Sequence, residues 1–208
     1  MNQKEILFAL MNNNNGMITM SYAEQKGIRK NIFGELVKSG ELSKVAPGLY
    51  SFPEEDIDEY IQISYRVPQG IFSHDTAAYL HGLTTRMPLV YIMTVKSGSN
   101  ITRIKKDMLP VEFRYIDKKY IELGNSEIET PFGRKVKVYD KERTILDFIR
   151  YNNKDSGIFS EVLNNYFKGN EKDLYRLATY ASKMNLEQKL KRYTEVLLWK
   201  HLSKLKVQ

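Results

Sequence analysis

An α+β architecture is the fold class that the sequence predicts, and three observations predict it. Residues 1–40 place apolar side chains at helical spacing between polar and glycine breaks. Residues 89–140 are rich in short β-prone runs, and from Asp140 onward helical periodicity returns. Strand-forming and helix-forming stretches that are segregated rather than alternating give a mixed sheet with helices following it.

Taken in order, the first helix is expected from Gln3 to Met11, with Ile6, Leu7 and Leu10 on one stripe. The polar tract Asn12–Asn15 and Gly16 end it, and Met17-Ile18 reads as a short apolar link. A second helix runs from Ser21 to Lys26 and stops at Gly27. Thr19 or Ser21 can cap it, and Glu24 stands three residues after Ser21, the capping-box spacing. The third helix, Arg29 to Ser39, turns Ile32, Phe33, Leu36 and Val37 inward and closes at Gly40. Leu42–Val45 and Leu49–Phe52 then flank Ala46-Pro47-Gly48 as the arms of a hairpin.

A bridging helix is expected over Glu54–Arg66, ending before Pro68, and Gln69-Gly70 is a turn. Ser73 can cap a two-turn helix that Gly82 terminates. Leu89–Val95, Val111–Ile116, Tyr120–Leu123, Glu127–Thr130 and Arg134–Tyr139 are the candidate strands, the last two joined by a tight turn over Thr130–Gly133. Helices follow over 141–151, 157–168, 171–183 (capped by Asn170) and 186–205.

Helix, glycine turn, helix and hairpin form the order in which a winged helix-turn-helix presents a recognition helix and a wing to DNA. The expected organisation is therefore a winged helix-turn-helix with its bridging helix in residues 1–68, then a larger α+β domain in residues 69–208. Recognition helices read base edges near their N-terminus, which places Arg29, Lys30 and Asn31 as base readers. Ser21, Tyr22 and Lys26 stand where phosphate contacts form, and Lys38 on the outer face of the third helix with Lys44 on the hairpin completes the DNA-binding set. The plain alternative is that these are ordinary solvated positions on a small helical module.

Composition bounds the function. The 208 residues are 42% hydrophobic and 27% charged, the balance of a globular chain, and no apolar run approaches a membrane span. The first residues lack a signal peptide's apolar core, and there is no cysteine, so neither disulfides nor a thiolate zinc site is expected. A cytoplasmic protein is the simple expectation. The net charge is +7, yet residues 1–68 hold seven Lys/Arg against nine Asp/Glu, so the remainder carries +9. A basic surface attracts nucleic acid phosphates and acidic proteins alike.

Catalytic constellations are thin. His74 and His81 are seven residues apart on a short helix, so they share a face but lie about 10 Å apart, too far for one metal. Each reads as a core or capping histidine, and His201 as a helix-face residue. Asp75 decorates a helix first turn, where negative charge is favourable. Nucleophile elbows, phosphate loops and dinucleotide fingerprints are absent, and Gly98-Ser99 lacks the acidic pair a nucleotidyltransferase would place after it. No catalytic residue, metal or cofactor is expected.

Three segments together carry a family resemblance: Leu36–Leu42 with Pro47-Gly48-Leu49-Tyr50, Ser73-His74-Asp75-Thr76-Ala77-Ala78-Tyr79-Leu80-His81-Gly82-Leu83, and Val138-Tyr139-Asp140-Lys141-Glu142-Arg143-Thr144-Ile145-Leu146-Asp147. In this order and spacing the chain resembles the AbiEi-type antitoxins of AbiE abortive-infection systems, bacterial type IV toxin–antitoxin modules, over nearly its whole length. The resemblance implies a winged-helix domain that represses its own operon at promoter repeats. It also implies a C-terminal domain that counters a nucleotidyltransferase-like toxin without requiring a stable complex, with Lys189, Arg192, Lys200 and Lys204 as the candidate antitoxin surface. Where the family tends to place Arg before the wing's Gly-x-Tyr, this chain has Lys44-Val45-Ala46-Pro47. The competing reading is a nucleic-acid-processing factor whose basic second domain holds RNA or DNA, and a third is a protein-interaction module.

Overall fold

The computed structural model describes residues 2–14, 16–53, 58–101, 110–151 and 156–195. The chain divides into two compact units. The first is Met1–Pro68 together with Thr130–Arg134, and the second is Gln69–Glu129 with Lys135–Gln208.

In the first unit, α1 (Gln3–Asn12) begins with a capping box. The Asn2 side chain accepts from Glu5 N–H at 2.8 Å, and the Glu5 carboxylate accepts from Asn2 N–H at 3.0 Å. The expected link Met17-Ile18 is instead a strand, β1 (Met17–Thr19), paired antiparallel with β3 (Leu49–Ser51). Both residues are buried, and β3 offers a free edge that satisfies their backbone groups. With β2 (Ser43–Ala46) the sheet order is β1-β3-β2. Thr19, not Ser21, caps α2 (Met20–Gln25), accepting from Tyr22 N–H at 3.2 Å. Helix α3 spans Asn31–Lys38, and α4 (Glu59–Arg66) is capped by Asp58; the start of the expected bridging helix, residues 54–57, lies outside the described residues.

The core of this unit joins Leu7 and Met11 of α1 to Phe33 and Leu36 of α3, with Ile28 and Leu42 from the connections. Phe33 and Tyr50 bring their ring centroids to 4.5 Å, locking α3 onto the sheet. Asp58 is completely buried. It caps Ile61 N–H at 3.2 Å, accepts the Thr130 hydroxyl at 2.6 Å and has the Arg134 guanidinium at 4.0 Å.

The second unit is α+β. Strands β4 (Ile71–Phe72), β5 (Tyr91–Lys96), β6 (Val111–Ile116), β7 (Asn125–Glu129) and β8 (Lys135–Tyr139) form a mixed sheet in the order β6-β5-β4-β8-β7. β5–β6 and β4–β8 run parallel, whereas β4–β5 and β7–β8 run antiparallel. After the sheet come α6 (Lys141–Tyr151), α7 (Ser156–Lys168) and α8 (Leu174–Lys183), and residues 187–195 are helical as α9. The part of the expected last helix beyond 195 lies outside the described residues. The core packs Ile145, Leu146, Phe148 and Ile149 of α6 against Val162, Leu163 and Tyr166 of α7 and Leu177 and Ala181 of α8.

Three local expectations need correcting here. Tyr120–Leu123 is a run of turns, not a strand, because its carbonyls serve a different donor: the Arg143 guanidinium takes the Tyr120 and Leu123 oxygens at 2.8 and 2.7 Å. Asp173, not Asn170, caps α8, accepting from Arg176 N–H at 2.8 Å. Ser73 stands at the N-cap of α5 (His74–Leu80) without capping it; its hydroxyl accepts from Thr94 and meets the His74 ring instead. Gly124 closes the turns with φ +79°, and a Cβ there would sit 2.5 Å from Arg143 Cβ, so only glycine fits. No helix among the described residues is long and apolar enough to cross a membrane.

Candidate nucleic-acid interface

Ser21, Tyr22, Lys26, Arg29, Lys30, Asn31, Lys38 and Lys44 are all exposed. Their placement follows from the core: Ala23, Ile28, Phe33 and Leu36 face inward, so the residues between them face solvent. Helix α3 starts two residues later than the periodicity predicts. Arg29 and Lys30 therefore precede it, held by tightened i→i−3 bonds from Ile32 N–H to Arg29 O and from Phe33 N–H to Lys30 O, both 3.3 Å. Lys30 occupies the N-cap and supplies no side-chain cap. With the Ile32 and Phe33 N–H groups taken by these bonds, what a helix start without a capping oxygen offers an anion is the positive end of the helix dipole.

Carboxylates temper this surface. Lys30 Nζ lies 3.3 Å from Glu24 of α2, and Asn31 Nδ2 donates to Glu35 at 3.4 Å. Two of the three expected base readers are thus held by the unit's own acids, and both contacts lie at the surface, where they are weak and exchangeable. Gln3 steadies the approach to α3, its Oε1 accepting from Arg29 N–H at 3.2 Å and its Nε2 donating to Gly27 O at 3.2 Å. Lys26 Nζ rests 5.5 Å from the Tyr22 ring centroid. Ser21 and Glu24, with Pro47-Gly48 of the hairpin tip and Tyr65 and Arg66 of α4, line a hollow of about 290 Å³. Met20 N–H donates to Gly48 O at 2.8 Å, tying the start of α2 to the hairpin tip. Lys44 projects from β2 opposite Tyr50 of β3.

In the second unit, Lys189 and Arg192 are exposed on α9, while Lys200 and Lys204 lie outside the described residues. His81 Nε2 donates to Tyr139 O at 2.7 Å, a structural tie between α5 and β8. His74 is buried, and its Nδ1 lies 3.0 Å from Ser73 Oγ. Burial pushes both imidazoles below the ordinary histidine value; Asp147 opposes this at His74 and the Tyr139 carbonyl at His81. Among the described residues no group of His, Cys, Asp and Glu is arranged to hold a metal.

A buried polar ladder on α6 was not anticipated. Arg143 Nε pairs with Asp147 at 3.0 Å, its Cζ lies 4.0 Å from the Tyr139 ring centroid, and Glu142 accepts from Tyr166 Oη at 2.9 Å and Asp173 N–H at 3.0 Å. The available signal was charge set inside an apolar run: Glu142, Arg143 and Asp147 alternate with Ile145, Leu146, Phe148 and Ile149.

The fold has a solved counterpart. The crystal structure of RV2827C protein from Mycobacterium tuberculosis superposes with a TM-score of 0.55 at 13% identity, covering 85% of this chain and 70% of that one. No protein-family model and no curated protein matches the chain.

Proposed function

We propose that this protein is a DNA-binding autorepressor and antitoxin of the AbiEi type, acting in the cytoplasm. In this reading the first unit is a winged helix-turn-helix that binds inverted repeats in its own promoter. The observation that carries it is the uncapped start of α3, flanked by exposed Arg29, Lys30 and Asn31 and followed by the β2–β3 hairpin with Lys44. The open helix start suits a phosphate, Arg29 can fork onto guanine, and Asn31 can address adenine once Glu35 releases it. The second unit counters a nucleotidyltransferase-like toxin, with exposed Lys189 and Arg192 as its candidate surface. No catalytic residue is assigned to either unit.

The test is fluorescence anisotropy on labelled promoter and random duplexes over a salt series. Promoter binding should exceed random binding, weaken steeply with salt, and drop at least about tenfold in an Arg29→Ala/Lys30→Ala variant. Equal affinity for both duplexes removes the repressor reading. Co-expression with a neighbouring nucleotidyltransferase-like toxin tests the other half, where loss of growth rescue by Lys189→Glu/Arg192→Glu is expected.

A further inference from the structure

We propose that the groove between α8 and α9 docks an acidic amphipathic helix of a protein partner. This goes beyond the promoter reading and does not depend on it.

Helices α8 and α9 are joined by only Met184, Asn185 and Leu186, with Asn185 at φ +56°, so they form a helical hairpin. One face of each helix lines a groove of about 530 Å³. On α8 that face is Leu174, Leu177, Ala178 and Ala181, and on α9 it is Glu187, Leu190, Lys191 and Thr194. Both sets keep the i, i+3, i+4, i+7 spacing of a single helical stripe, which spans about 10 Å, or two turns. Phe167, from the end of α7, adds an aromatic wall. The floor belongs to the core of the unit, since Leu177 and Ala181 are buried there. The lip does not: Leu174 is 52% exposed, and Tyr175 beside it in the chain is 85% exposed. Large apolar side chains left in water beside an apolar groove mark an interaction surface.

Shape selects a helix over a small molecule. Leu174, Ala178, Glu187 and Lys191 are all exposed, so the groove lies open along its length, whereas a small-ligand site encloses most of its ligand. Ala178 and Thr194 are small, which lets another helix approach closely. An open trough two turns long between two helices is filled by the apolar stripe of a third.

Charge selects which helix. Lys172 and Lys191 line the groove against Glu187 alone. Lys172 Nζ donates to the Gly169 carbonyl at 2.7 Å, a neutral partner. Lys191 Nζ lies 3.8 Å from Glu195, a weak contact between two exposed side chains. Around the groove, residues 168–195 hold seven Lys/Arg against four Asp/Glu. A helix with acidic flanks is drawn to such a surface. A second copy would bring the same positive face, and residues 196–208 carry Lys200, Lys204 and Lys206 with no acidic residue. Both are repelled where an acidic helix is attracted.

The probe is a labelled synthetic peptide of about fourteen residues, with leucine at i, i+3, i+4 and i+7 and glutamate on the flanks, titrated into the full chain by fluorescence anisotropy. Saturable binding is expected, weakening as salt rises and falling about tenfold or more in Ala178→Glu, which sets a carboxylate in the groove. In Lys172→Glu/Lys191→Glu the preference should invert, so that a peptide with the same leucines and lysine flanks binds better than the acidic one. In the unaltered protein the Leu174 and Leu190 methyl resonances should move as the acidic peptide saturates, a reading that requires no variant to fold. No saturation, binding that Ala178→Glu leaves intact, equal affinity of the unaltered protein for acidic and basic peptides, or unmoved methyl resonances overturns the proposal. Two further outcomes overturn it by naming another occupant. Self-association that Ala178→Glu abolishes assigns a second copy, and a red shift in the emission of Trp199, the chain's one tryptophan, in Ala178→Glu assigns residues 196–208. Promoter binding is measured on the same variants, and its retention keeps this reading separable from that of the first unit.

Discussion

Replacing Arg143 with methionine should be among the most damaging single changes in the second unit. Arg143 is 0% exposed and Asp147 is 1% exposed, so neither charge can turn to water when its partner is lost. Arg143→Met keeps much of the stem's volume but strands the Asp147 carboxylate and removes the donor to the Tyr120 and Leu123 carbonyls. Breaking a buried pair from one side costs about 3–5 kcal/mol. For a chain of this size, about 2–4 °C of melting temperature accompanies each kcal/mol, so a fall of roughly 6–20 °C is expected by calorimetry. Arg143→Met/Asp147→Leu removes both charges and should recover a good part of that loss, because no uncompensated ion is left behind. The reasoning fails if the single variant loses less than about 1 kcal/mol, or if the double variant is as unstable as the two single losses added together.

Gly124→Ala should cost about 2 kcal/mol or more, measured by urea denaturation, because its methyl would press on Arg143 Cβ in a backbone conformation alanine resists. Thr19→Ala should cost about 1 kcal/mol through loss of the α2 cap. Glu24→Gln frees Lys30 and should tighten promoter binding a few-fold at low salt, with the gain fading as salt rises. Acid should weaken the fold early. His74 and His81 titrate below their unfolded value, so the unfolded chain binds protons first, and stability falls as pH drops below about 6.5. Around His74 stand Asp147, Arg114, Arg143 and Glu112, and around His81 stand Lys141 and Glu142. Burial raises the Asp140 carboxyl, which acts with the opposite sign but nearer the carboxylate range. A melting temperature flat between pH 7.5 and 5.5 would contradict this, and His81→Asn should lessen the slope.

The α+β class was legible because helical periodicity and β-prone runs occupy different stretches of the chain. The short strands β1 and β4 were not, since two or three residues carry no period; they exist because neighbouring strands supply an edge. Tyr120–Leu123 misled by composition, as aromatic and aliphatic residues that suit a strand also suit a turn packed under Arg143. At the interface, exposure of Arg29, Lys30 and Asn31 followed from the apolar positions around them. The Asn31–Glu35 contact lay open to view at i,i+4 spacing, whereas Lys30–Glu24 spans a turn whose geometry no local pattern fixes. The chain of contacts from Thr94 through Ser73 to His74 depends on tertiary placement of β5 beside α5, and one chain read linearly does not bring them together.

Asp58 gives the first unit a timetable. Its hydroxyl partner Thr130 lies 72 positions downstream, with Arg134 further still. During synthesis at about 5–20 residues per second, this carboxylate waits roughly 4–14 seconds before that partner exists. The unit at the front of the chain is thus finished late, after most of the sheet strands behind it have been made. A protein cut after Pro68 would keep α4's capping residue but leave a sealed negative charge permanently without its matching groups. Shortening the gene from its far end therefore endangers the near end as well, and a fragment carrying residues 1–134 should fold its leading part better than one that stops at 68.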